Sequence, residues 1–172
     1  MKSTRRLVLL ALMVAQALIL SIIESWIPLP IAVPGIKLGL ANIVTLITLT
    51  FFGFRDALFV VTVRCALSSL FGGGLIVFLF SITGGILSTI VMAFMLKKFL
   101  RSFSLYGISI AGAIVHNFGQ LVMASIIMKQ WSVMAYLPIL LVSGIIMGSF
   151  VGLCSGFLSK ALQKTHIFDR SE

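Results

Sequence analysis

Acidic side chains are nearly missing from this chain: four Asp and Glu stand against thirteen Lys and Arg in 172 residues. None form a DDxxD-like cluster. Condensation of prenyl diphosphates needs carboxylates that hold Mg²⁺ around a diphosphate, so that chemistry finds no ligands here. A Walker A sequence is absent too, which excludes ATP hydrolysis by this polypeptide alone. The two histidines, His116 and His166, have no cysteine at ligand spacing, and Cys65 and Cys154 both fall in apolar runs. That leaves neither a metal site nor a disulfide framework. No serine, cysteine or histidine sits in a nucleophilic constellation. The sequence offers no catalytic residue, no metal ligand set and no cofactor motif.

What it has is hydrophobicity. Sixty per cent of the residues are apolar, 10% are charged, and the mean hydropathy is +1.20. A soluble domain needs far more polar surface. The expected fold is an all-α membrane protein, a single integral membrane domain over residues 1–172. Its length suits about six spans of ~20 residues. The apolar runs place them near 7–23, 38–52, 57–70, 75–95, 106–128 and 135–159. Lys2, Arg5 and Arg6 before an apolar run resemble a signal peptide, but hydrophobicity continues to Ile27, so an uncleaved first span is expected.

A net charge of +9 suggests nucleic acid in a soluble chain. Here the basic residues sit at span ends, which points to membrane orientation and not to nucleic acid. With the N-terminus inside, Lys2, Arg5, Arg6, Arg55, Lys97, Lys98, Arg101, Lys160, Lys164 and Arg170 are cytoplasmic, and only Lys37 and Lys129 lie outside. The asymmetry predicts both termini in the cytoplasm. Trp26 and Trp131 then share the outer interface, where aromatic anchors collect.

Polar residues inside apolar runs are the candidate site. Arg64 lies mid-span, where an arginine costs at least ~2.5 kcal/mol unless it faces protein or water. Two readings stand: pairing with Glu24, Asp56 or backbone carbonyls, or facing an anionic ligand. His116, Asn117 and Gln120 form one patch by i, i+3 and i, i+4 spacing, as interhelical glue or as ligand contacts. Asn42 opens the second span just after a loop, 28–37, rich in proline and glycine. Lys37 in that loop is an interfacial snorkelling lysine or part of a donor cluster with Asn42. The loop is a candidate lid. Gly144, Gly148, Gly152 and Gly156 make a strict four-residue stripe, with a shorter version at Ala11 and Ala15. Small residues at this spacing let another helix approach, from this chain or from a partner.

The stretch Pro34-Gly-Ile-Lys-Leu-Gly-Leu-Ala-Asn-Ile-Val-Thr-Leu46 resembles the signature of a bacterial membrane family labelled heptaprenyl diphosphate synthase component I, also called the Gx transporter family. The region is also similar to the substrate-binding S components of energy-coupling factor vitamin transporters. That resemblance implies six spans, a structured external loop after the first, and an AxxxA motif on span one, matched by Ala11 and Ala15, that docks a membrane T component. It implies a bound substrate and energy coupling through partner ATPases. With Arg64, Asn42 and the His116, Asn117 and Gln120 patch as lining, the expected solute is small, anionic or amphiphilic, and bound beneath the loop 28–37. The resemblance further implies residence in the bacterial cytoplasmic membrane. Members of the labelled family are associated with flavin-based extracellular electron transfer, which implies an alternative role as a membrane scaffold or accessory subunit there or in quinone and polyprenyl diphosphate pathways.

Overall fold

The computed structural model describes residues 3–26, 39–99 and 103–165. Six α-helices and no strand occur among them: α1 Ser3–Ser25, α2 Asn42–Phe51, α3 Phe54–Ser68, α4 Gly74–Phe99, α5 Leu105–Met128 and α6 Leu137–Lys164. A π-helical turn, Ser69–Gly73, joins α3 to α4, and a 3₁₀ turn, Trp131–Tyr136, precedes α6. Four helices (α1, α4, α5 and α6 with its 3₁₀ turn) are long and apolar enough to cross a membrane. Their outward faces carry Leu7, Leu12, Ile19, Ile90, Ile146, Phe150 and Phe157, all exposed. Exposed rows of large apolar residues are unstable in water and suit lipid, so the chain is a membrane protein.

The sequence expectation of six equal spans needs adjustment at α2 and α3. At 1.5 Å per residue the ten residues of α2 rise about 15 Å, half a hydrocarbon core. The second span was expected from residue 38, but α2 begins only at Asn42. Gly39 (φ 93°) and a turn through Leu40 and Ala41 come first. Every residue from Asn42 to Leu49 is buried, so α2 is an internal helix wrapped by the others. Gly53 (φ 92°) turns the chain into α3, which starts three residues earlier than expected and takes Arg55 and Asp56 into its first turn. An acid there is favoured by the helix dipole.

Helix faces follow from the sequence spacing. On α3 the buried set is Asp56, Ala57, Val60, Val61, Arg64, Cys65 and Ser68, a continuous 3.6-period stripe. On α1 it is Met13, Val14, Ala17, Ser21 and Glu24, which turn toward α2 and α3. Arg6 forks onto Asp56, with Nη2 donating at 2.9 and 2.7 Å and Nε at 3.2 Å, and ties the starts of α1 and α3 together. Asp56 is thereby engaged at the far end of α3 from Arg64.

Close backbone approach holds α4, α5 and α6. A β-carbon at Gly119 would lie 3.1 Å from Gly84 Cα, and one at Gly112 would meet Met92. The glycine stripe of α6 faces the same partner. A β-carbon at Gly148 would lie 2.7 Å from Ile110 Cα, and one at Gly152 2.8 Å from Tyr106 Cα. At Gly144 it would meet Asn117 Nδ2 at 3.1 Å. These three glycines, expected as a partner-docking face, are covered by α5 of the same chain; only Gly156 remains open, with nothing within 4 Å. Overpacking against a backbone costs about 1–3 kcal/mol or more. Gly148→Leu therefore lowers the thermal unfolding midpoint of the purified protein by several degrees, while Gly156→Leu leaves it within about 2 °C.

Candidate functional site

Four buried polar residues, Glu24, Asn42, His116 and Gln120, gather beside the turn that leads into α2. Glu24 of α1 accepts a hydrogen bond from the Gly39 backbone N–H. Gly39 holds a left-handed φ that other residues resist, and a β-carbon there would come within 2.9 Å of Asn42 Nδ2 and 3.6 Å of His116 Cδ2. Glycine is thus required twice at this point, for conformation and for space. The same turn delivers Asn42, whose N–H bonds the Gly39 carbonyl at 2.9 Å, onto the inner face of α2.

His116 and Gln120 reach this region from α5. Gln120 Nε2 lies 3.1 Å from His116 Nε2. The two nitrogens are within hydrogen-bond distance, and the imidazole tautomer sets which of them donates. The ring lies against Gly84 of α4, where a β-carbon would be 3.2 Å from Nδ1 and 2.7 Å from the His116 carbonyl oxygen. The adjacent Gly85 gives room to Arg64, whose Nη2 would lie 3.4 Å from a β-carbon there. Two consecutive glycines on α4 therefore seat the imidazole and the guanidinium.

Asn117 points elsewhere. Its Nδ2 donates to the Leu140 carbonyl at 2.8 Å and fastens α5 to α6 in the space left by Gly144. Of the predicted patch, Asn117 is an interhelical bond, while His116 and Gln120 face α4 and the Gly39 turn. Lys37 and the proline-rich loop 28–37 lie outside the described residues.

Arg64 is 3% exposed, and neither Nε nor Nη2 has a hydrogen-bond partner among the described residues. Neither Glu24 nor Asp56 pairs with it, although both were candidates from sequence; Asp56 is held by Arg6. Nε and Nη2 form one edge of the guanidinium, the edge that binds a carboxylate or phosphate through two parallel N–H bonds. Asn42, also 3% exposed, has both Oδ1 and Nδ2 without a partner among the described residues. Buried polar groups are almost always satisfied, so this unfilled capacity is chemically significant.

Sequence reasoning missed Gly84–Gly85 and gave Glu24 no site role. The signal for Glu24 was its spacing: it follows Ala17 and Ser21 on the buried stripe of α1. The same stripe bonds Ser21 to Ser68 of α3, 3.3 Å between oxygens, one turn from Arg64.

Ala11 and Ala15 are exposed on α1, next to an apolar groove of about 620 Å³ between α1 and α3. Leu10, Val14, Phe59 and Val63 line it, with the Arg6–Asp56 pair at one end.

Removal of a buried charge that lacks a partner is neutral or stabilising, whereas loss of a made buried hydrogen bond costs about 1–3 kcal/mol. Accordingly Arg64→Met holds or raises the unfolding midpoint without ligand, and Asn117→Leu lowers it. Calorimetry of the purified protein reads both.

A family model described as heptaprenyl diphosphate synthase component I matches residues 13–158, a span that takes in Glu24, the Gly39 turn, Asn42, Arg64 and the α5 residues. No curated protein matches the chain, and no solved structure does. The match extends over most of the chain, and the protein belongs to the heptaprenyl diphosphate synthase component I family.

Proposed function

We propose that this protein is an S-component-like substrate-binding subunit of a membrane transporter, taking a small anionic or amphiphilic solute. The observation that carries the reading is Arg64: a guanidinium edge inside a membrane protein, 3% exposed and without a partner among the described residues. Such a charge is retained against its desolvation cost where a ligand supplies the counter-charge. Asn42 adds one donor and one acceptor for a neutral polar group of the same solute, with His116 and Gln120 beside it. In the reading Lys37, a residue of the loop 28–37, belongs to this donor set.

In this reading α2 and α3 complete six spans, thinned where α2 is short and enclosed by protein, with both termini on the cytoplasmic side of a bacterial cell membrane. The solute enters from the outer side. Energy coupling comes from partners, a T component and ATPases, because the chain has no nucleotide motif. The exposed Ala11 and Ala15 and the groove beside them support docking of a partner helix on α1. Synthase activity is not part of the proposal. Of the four acids, Glu24 holds the Gly39 turn and Asp56 holds Arg6, which supports a structural use of the carboxylates.

The exposed α1 face also favours a second reading, a membrane scaffold or accessory subunit for electron-transfer or quinone-pathway proteins. The two separate by mutation. A thermal-shift screen of carboxylates, phosphates, vitamins and flavins is expected to find an anionic stabiliser whose effect falls at least tenfold in apparent affinity with Arg64→Met, since a charged hydrogen-bond pair contributes about 1.5–3 kcal/mol. Ala11→Leu with Ala15→Leu should leave that binding intact and abolish partner capture. Ligand-free behaviour in every case, with partner capture lost in the alanine variants alone, selects the scaffold.

A further inference from the structure

A second polar feature lies far from Arg64, at the opposite end of α5. Helix α4 runs antiparallel to α5, with Met92 against Gly112 and Gly84 against Gly119, and α6 runs antiparallel to α5, with Gly152 against Tyr106. The last turn of α4, the first turn of α5 and the last turns of α6 therefore lie at the same end of the bundle, with α5 between α4 and α6. Four lysines lie at that end, Lys97 and Lys98 on α4 and Lys160 and Lys164 on α6, on either side of α5. No carboxylate occurs among the described residues of these three helices. Lys98 lies 5.1 Å from the centroid of the Phe94 ring on its own helix, while Lys160 lines a groove shared with the start of α5.

A groove of about 440 Å³ opens between the start of α5 and the end of α6. Ser104, Ser159 and Lys160 form its polar side, and Tyr106, Leu153 and Phe157 its apolar side. It is open because position 156 is glycine and a β-carbon there would meet nothing within 4 Å. The N-terminus of the 24-residue α5 faces it, where the first backbone N–H groups have no acceptor within the helix. Ser104 caps only one of them, Gly107 N–H, at 3.5 Å.

The serines give an independent indication. Ser109 and Ser155, 2% and 1% exposed, have hydroxyls without a partner among the described residues. Ser155 is one turn from Ser159, which is 5% exposed and lines the groove, and Ser109 is one turn from Leu105, which lines it too. Of these three serines Ser159 lines the groove, while Ser109 and Ser155 lie one turn away from its lining residues. On the other side, Ile146, Phe150, Leu153 and Phe157 form an exposed apolar stripe at three- and four-residue spacing along α6, leading from the lipid-facing surface into the groove.

We propose that this groove binds the phosphate of an anionic phospholipid. Lys160 and the α5 N-terminus hold the phosphate oxygens, with Ser104 and Ser159 as further hydrogen-bond donors, and an acyl chain lies along Leu153 and Phe157. A helix N-terminus and one lysine match a single negative charge. The apolar stripe is what distinguishes a lipid from a free anion, which has nothing to bury there. The proposal is independent of any transported solute.

Native mass spectrometry of the protein released from nanodiscs of equimolar phosphatidylglycerol and phosphatidylcholine tests it. Phosphatidylglycerol is expected to remain bound in excess over phosphatidylcholine. Lys160→Gln should reduce that excess about fivefold, the factor expected for one lysine at an anionic surface. Gly156→Leu fills the groove and should abolish the excess while leaving the unfolding midpoint in place, and Lys160→Arg should retain it. Equal retention of the two lipids by the unaltered protein overturns the proposal, as does an excess unchanged in Lys160→Gln and Gly156→Leu. In a parallel arm, inorganic phosphate alone should not stabilise the detergent-purified protein against heat. Stabilisation by phosphate equal to that by phosphatidylglycerol overturns the assignment to lipid.

Discussion

A polar group inside a membrane must find its partners within the protein, because hydrocarbon supplies none. That constraint organises this fold more than any apolar contact does. Three of its buried polar groups on α1, α2 and α5 are gathered around one turn at Gly39, and α4 contributes glycines where side chains would obstruct them. Serine and threonine hydroxyls elsewhere return to their own helices, as Thr48 does to the Val44 carbonyl and Thr89 to Gly85. Among the groups that lack a partner in the described residues, Arg64 stands out as the cation and Asn42 as the one amide with both a donor and an acceptor unused.

Small residues make that arrangement possible, and they serve two ends. Gly144, Gly148 and Gly152 bring α6 against the α5 backbone, so the α4–α5–α6 layer is dense and leaves little freedom for sliding. Ala11 and Ala15 sit on α1, on a face that nothing in the described residues covers. Identical spacing thus has opposite meanings at the two places. Dispersion between backbones closes one surface within the chain, while the other remains available to a neighbour.

Much of this was legible in the sequence. The stripe Ala57, Val60, Val61, Arg64, Cys65, Ser68 has the period of a buried helix face, so the inward direction of Arg64 could be read from its neighbours. The grouping of His116 with Gln120 was equally plain from four-residue spacing. Less legible was the fate of Asn117, since two residues adjacent in sequence point 100° apart on a helix and meet different partners. The short α2 was also hidden: hydropathy runs smoothly through Leu38–Leu40, and only the backbone at Gly39 marks where the helix can begin. The glycine stripe was ambiguous in principle, because spacing reports that something approaches closely and not whose backbone it is.

The Arg6–Asp56 fork and the Glu24–Gly39 bond lie at opposite ends of the same helix. Eighteen residues separate Arg6 from Glu24, about 27 Å along α1 by helical rise. The two attachments make α1 a lever with a fixed foot and a loaded tip. A tilt of only a few degrees about the foot carries the Glu24 carboxylate through roughly an ångström, enough to loosen a hydrogen bond whose tolerance is a few tenths. Anything that leans on the exposed side of α1 therefore acts mechanically on the turn that aims Asn42.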